Sequence, residues 1–516
     1  MNKLVAAIMV AGLGATGVQA QNEFTNTWVG ANSGTAYWKD AANWDPAVVP
    51  NDPGVVVIIP QDHHNIKIDL ADFAGADDSG DITVGVLIVY GTGWQDSYPL
   101  EMIFSSDGTS LVYDNDGLPA RIEWIRVNWD GHLQINAPQV FVDETHFVGG
   151  YGINLVGASL SGVGPVVQSC RTLRVYADPG TTNVVSVPIV TAAGVLPEYF
   201  FIFGGGGCVL VENCRDDREI ILPLGATYGG LIDNGTQLIL SDSVFRGDTM
   251  YAGAIINRNN NALLVQNGSE FHYNSGVFLG AESATRDNLY VVADPGSKLM
   301  LTSVNMDGWD NQLFVKDGGY ASFNALSFWN TSFRQFVQLS SALENEPAIL
   351  DLNGGDIQFF RDEYRDNATD CVISVLPGGI VTNAANIAVG WDGGTAGNRI
   401  QLGGGQIFCA NLTFGPYNGV EVLNPAVGGE IFPIIASTAA KFSDGAKVYA
   451  ENLSIPGRYP LVTAPSIDFD GVALDTPDLV ELPPLFNGKL IIAPNGDGTE
   501  TLWLNLFKGG TLLLAR

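Results

Sequence analysis

The sequence predicts an all-β fold: a right-handed parallel β-helix with rungs of about 25 residues, an N-terminal β cap and a C-terminal β segment. Three observations lead there. A short apolar-x-apolar pair returns through the middle of the chain at near-constant spacing. Turn residues (Gly, Asn, Asp) cluster around most of these pairs. Composition excludes the main rivals, because only 15% of residues are charged while 46% are apolar and glycines number 62. Helical bundles need far more Glu and Lys, and disordered chains far less apolar side chain.

From the N-terminus, residues 1–20 read as a secretory signal. Lys3 supplies the positive start, Leu4 to Leu13 an apolar run, and Val18, Gln19 and Ala20 a small-residue cleavage site. Cleavage after Ala20 leaves a secreted or cell-surface chain. Residues 21–100 are expected to form a tryptophan-rich cap. Trp28, Trp38 and Trp44 fall within 17 residues and precede the valine-rich run Val55 to Ile59. Such tryptophans either plug the open end of a solenoid or form a platform for stacking carbohydrate. No polar group converges beside them in sequence, which favours the plug.

Residues 101–415 are expected to coil as the β-helix. The pairs are Leu238/Leu240, Leu263/Val265, Leu289/Val291, Leu313/Val315, Leu350/Leu352, Ile373/Val375 and Ile400/Leu402, with starts 25, 26, 24, 37, 23 and 27 residues apart. Alternation over about five residues is a strand signature, and such a rung holds about three strands and three turns. Asn261, Asn311 and Asn398 each stand two residues before their pair, as a stacked asparagine ladder would require. Leu173 to Gly180 repeats Leu289 to Gly296 at six of eight places. The long interval is expected to hold a bulge, with Phe333 to Leu339 as a short helix or loop. Leucine-rich repeats and propeller blades are excluded by frame and by length. Residues 416–516 are expected to close the coil.

The formal charge is −31. So acidic a surface repels phosphate backbones and anionic headgroups, so neither nucleic acid nor a membrane surface is an expected partner. No apolar run after the signal reaches the roughly 18 residues of a spanning helix. The five cysteines (Cys170, Cys208, Cys214, Cys371, Cys409) are too few for a disulfide scaffold. In one extended strand Cys208 and Cys214 would sit roughly 20 Å apart, too far to bridge.

One resemblance rests on the motif W-x-G, then W-x-x-A-x-N-W and P-N, carried here by Trp28 to Gly30, Trp38 to Trp44 and Pro50-Asn51. It resembles the opening of large secreted bacterial β-helix proteins with autotransporter-associated β-strand repeats. Pro456 to Thr463, Leu502 to Leu506 and Thr511 to Leu514 resemble their closing segment. The resemblance implies a passenger-like β-helix outside the cell, without the membrane barrel of true autotransporters. It carries over no catalytic residues.

Arg215, Asp216, Asp217 and Arg218 place paired carboxylates beside guanidinium groups, the residue types of a polysaccharide lyase or glycoside hydrolase site. Arg361 to Asp366 is a similar cluster. Solvated turn ion pairs, common on exposed surfaces and mostly idle, are the favoured reading of both. Asp114, Asn115 and Asp116 resemble part of a calcium loop but lack the bidentate glutamate. Asp62, His63 and His64 lack a third metal ligand, and no other cofactor is implied. The expected function is therefore that of an exported non-catalytic surface, adhesive or matrix component. Extracellular glycans or neighbouring surface proteins are its expected partners, and a polysaccharide-active enzyme is the alternative.

Overall fold

A computed structural model describes residues 24–31, 34–60, 66–70, 81–90, 101–105, 109–125, 132–149, 152–157, 159–170, 172–191, 200–223, 232–233, 235–248, 253–256, 259–279, 286–328, 332–359, 368–390, 395–425 and 429–509. Nearly all regular structure is β. The helical residues among those described are three single 3-10 turns, Ala41–Asn43, Asp216–Arg218 and Pro477–Leu479. Among the described residues no helix is long and apolar enough to cross a membrane.

The chain is a β-solenoid with three faces. One turn runs through Leu111–Tyr113 on the first face, Ala120–Ile125 on the second and His132–Asn136 on the third, then returns to the first at Gln139–Phe141. The first face is a 16-stranded sheet from Ile82–Val84 to Val480–Glu481, parallel at every step. The third face begins as a separate 7-stranded sheet. Beyond it, long bulged strands such as Glu270–Leu279, Lys298–Met306 and Gln406–Phe414 carry the second and third faces together. Alternate side chains turn inward and stack on their equivalents one turn away. The core is therefore one continuous column. Aromatic residues at equivalent positions stack in parallel, as Phe245 on Phe271 (4.8 Å), Phe328 on Phe359 (4.3 Å) and Phe442 on Phe469 (4.6 Å).

The corner leading into the first face repeats one conformation. Asn260, Asp287, Asp310, Arg334, Asp370 and Tyr417 all have φ between 53° and 62°. Asn and Asp tolerate this left-handed geometry best, which accounts for their density at the corner. Each is followed by a ladder position. Thr236 N–H donates to Asn261 Oδ1 (2.9 Å), Asn261 N–H to Asn288 Oδ1 (3.0 Å) and Asn288 N–H to Asn311 Oδ1 (3.1 Å). Further on, Cys371 N–H donates to Asn398 Oδ1 (3.0 Å) and Asn398 N–H to Asn418 Oδ1 (3.1 Å). At the next corner a serine ladder does the same, with Cys214 N–H donating to Ser243 Oγ and Ser243 N–H to Ser269 Oγ, both at 3.1 Å. These side chains are fully buried, so they satisfy backbone donors where no strand partner exists.

Three expectations are corrected. At Leu289–Ala293 the inward pair is Tyr290/Val292, not Leu289/Val291. The ladder residue Asn288 stands two positions before Tyr290 and sets this phase. Phe336–Ser340 is a strand of the first face, with Val337 and Leu339 inward, rather than part of a helix or bulge. Leu350 belongs to the second face, between Ala321 and Val381. The irregular interval of 37 residues arose from mixing faces; Leu313, Val337 and Ile373 are the true neighbours.

The boundaries at 101 and 416 are not breaks in the coil. Thr25–Trp28 already pairs in parallel with Val56–Ile59, and Gly34–Tyr37 with Ile66–Asp69. Parallel pairing continues through Lys447–Tyr449. Closure comes from a change of strand direction. Glu500–Lys508 lies antiparallel to both Gly457–Ala464 and Phe486–Pro494. Antiparallel Trp44–Asp45 does the equivalent for Thr25–Trp28.

Candidate functional site

Residues 215–218 sit at a corner between the first and second faces, and their arginines point opposite ways along the coil. Arg215 donates through Nε to Asp242 Oδ1 (3.0 Å) and through Nη2 to the Gly268 carbonyl, reaching toward later turns. Arg218 donates through Nη2 to the carbonyls of Gly162 (3.0 Å) and Ser186, on earlier turns. Asp216 and Asp217 are exposed between them, Asp216 at φ 60°. The guanidinium groups thus tie five turns together, and the two carboxylates face water at the corner.

Asp114, Asn115 and Asp116 form a turn held by its neighbour. Asp143 Oδ2 accepts from Asn115 N–H (2.7 Å) and Gly117 N–H (3.1 Å), while Asp114 Oδ1 accepts from Asp116 N–H (3.1 Å). Among the described residues no three His, Cys, Asp or Glu side chains are grouped to hold a metal ion. Asp62-His63-His64 and Arg361 to Asp366 lie outside the described residues.

The tryptophans are core rather than platform. Trp28, Trp38 and Trp44 are 0%, 0% and 2% exposed. Trp44 meets Trp28 and Trp38 edge-on at 4.9 and 4.8 Å, and Trp44 Nε1 donates to the Trp38 carbonyl (2.8 Å). No ring face is left for a sugar. The cysteines are free, and burial pushes the thiols of Cys170, Cys214, Cys371 and Cys409 up to about 12. They remain protonated, which removes them as nucleophiles.

A titratable cluster lies on the outer surface of the second face, where register brings it together. Arg246 donates to both oxygens of Glu219 (2.6 and 3.1 Å). One turn on, Glu270 contacts Lys298 and His272, each at 2.8 Å. Partial burial pushes the Glu270 carboxyl up, but hydrogen bonds from Lys298 and His272 and their charges outweigh it and hold the group at about 2. A carboxylate that acidic is a poor proton donor at neutral pH, so the cluster acts as a bracket between turns.

A second feature was missed by sequence reasoning, which left the middle residue of each apolar pair unassigned. On the outer surface of the first face, Val184, Leu210, Ile239, Leu264, Val291 and Phe314 stand in one column on six successive strands. All six are half-buried, and none of the described elements covers them. Between Thr83 and Ser374 the outward positions of this face carry two charges, Glu212 and Lys316. The signal was present as apolar triplets such as Leu238-Ile239-Leu240, where plain alternation calls for a polar centre.

Comparison with known proteins finds no matching family model, no matching curated protein and no matching solved structure.

Proposed function

We propose that the chain is exported and works outside the cell as a non-catalytic β-helical scaffold, a component of the surface, an adhesive layer or the matrix. The observation that carries this reading is the use made of its charged side chains. Arg215, Arg218, Arg246 and Lys298 bridge from turn to turn instead of converging on a cleft. A first face of 16 strands at about 4.8 Å spacing makes a rigid column roughly 70 Å long, suited to holding a surface at a distance.

Two measurements test the reading. Intact cells treated with a membrane-impermeant amine reagent should yield labelled protein beginning at Gln21; unlabelled protein retaining Met1 would overturn the export claim. Purified protein incubated with acidic and neutral polysaccharides should release no oligosaccharide. Product formation that disappears in Asp216→Ala or Asp217→Ala would establish the enzyme instead.

A further inference from the structure

We propose that the outer surface of the first face is a docking site for a cationic, amphipathic polypeptide, one that pairs an apolar stripe with flanking basic side chains. This deepens the scaffold reading and rests on it for its biological setting. The binding itself concerns the purified chain alone.

The first argument is the contrast in charge. A chain at −31 presents a face whose outward positions are almost uncharged over twelve strands, from Ile82–Val84 to Val372–Val375. At about 4.8 Å per strand and 10–15 Å of width, the strip measures roughly 50 Å by 10–15 Å. That is close to the roughly 800 Å² that a standard interface takes from each partner. The second face, by contrast, spends its outward positions on ions such as Glu219, Arg246, Glu270 and Lys298. Solvent exposure alone therefore does not account for valine, leucine, isoleucine and phenylalanine repeating in the central column.

The second argument concerns the margins. Both corners flanking the strip carry aspartates in the left-handed conformation: Asp287, Asp310 and Asp370 along one edge, Asp242, Asp294 and Asp317 along the other. Arg215 neutralises Asp242 and Arg334 neutralises Asp310 (2.6 Å). The remaining four have no ion pair among the described residues. An apolar centre with an acidic rim is the anatomy of one half of an interface. Its complement is an apolar stripe with a basic rim.

The same margins argue against a second copy as the occupant. Two chains packed through this face would set aspartate rows against aspartate rows, at a cost only salt would relieve. A basic partner gains from the same rows. Flatness also suits a polypeptide, because an extended segment lying along the column presents its alternate side chains about 6.7 Å apart on one side, a continuous apolar row against residues that recur about every 4.8 Å.

The probe is a short peptide alternating leucine and lysine, titrated against the full chain by calorimetry, with a serine–lysine peptide of equal charge as control. The leucine–lysine peptide should bind saturably and at least about tenfold more tightly than the control, with affinity falling as salt rises. Ile239→Asp combined with Leu264→Asp should remove at least tenfold of that affinity. The gentler pair Leu264→Gln and Val291→Thr should weaken it in the same direction if the aspartates disturb folding. Asp294→Asn with Asp317→Asn, which keeps their hydrogen bonds to the Asn267 and Ala342 amides, should flatten the salt dependence. Equal affinity for both peptides would overturn the proposal, as would binding unmoved by the face substitutions. Sedimentation showing concentration-dependent dimers that Ile239→Asp abolishes would also overturn it, by assigning the face to a second copy. Loss of surface labelling in cells would bear on the scaffold reading and leave these binding results standing.

Discussion

Replacing Asn288 by alanine tests the ladder that sets the register of the coil. Its side chain is 1% exposed and makes two bonds: Oδ1 accepts from the Asn261 amide (3.0 Å), and Nδ2 donates to Asn311 Oδ1 (2.9 Å). Alanine strands the Asn261 N–H at a buried corner, where an unmet donor costs about 1–3 kcal/mol. Asn311 Oδ1 keeps the Asn288 amide as its donor, so losing the Nδ2 bond adds only about 0.5–1.5 kcal/mol. The expected destabilisation is about 2–4 kcal/mol, read from urea unfolding monitored by circular dichroism. Because a solenoid can open locally, hydrogen exchange at the Asn261 and Asn288 amides supplies the second readout, and protection there should fall first. Gln312→Ala, at an exposed position on the same corner, is the control and should change stability by less than about 0.5 kcal/mol. A midpoint unchanged from wild type, with the Asn261 amide still protected, would refute the ladder as a source of stability.

Three further outcomes are expected. Leu289→Asp should be tolerated while Val292→Asp unfolds the turn, since Leu289 points outward and Val292 is 0% exposed; equal thermal stability would place the phase of Leu289–Ala293 in error. Trp44→Ala removes the ring that meets both other tryptophans, so it should cost about 3–5 kcal/mol and promote aggregation by light scattering. Glu270 is held at about 2, below its unfolded value near 4.5, so its contribution is complete above about pH 4.5 and is lost as pH falls toward 2. Stability curves for wild type and Glu270→Gln should therefore converge across that acid window, and a constant gap would contradict the bracket.

By itself the sequence determined that this chain is a β-solenoid. Each turn must solve the same local problem, and inward alternation, left-handed corner residues and ladder asparagines leave the same letters each time. It did not determine which face a strand joins, because all three faces use the same alternation. Leu173 to Gly180 and Leu289 to Gly296 share six of eight letters. Yet Leu173 and Val175 are buried on the third face, while Leu289 and Val291 point outward on the first. In Leu289–Ala293 every residue but one is aliphatic and the exception is tyrosine, so either phase satisfies the pattern, and the Asn288 ladder makes the choice. The charged corner shows the same limit: Arg215 and Arg218 lie three residues apart, but their hydrogen-bond partners lie 27 to 56 residues away along the chain. Stacking of turns decides such contacts, because neighbours along the coil axis are a whole turn distant in sequence. The apolar outer column of the first face has the same origin. Each member looks like ordinary strand hydrophobicity until parallel register lines six of them up on one surface.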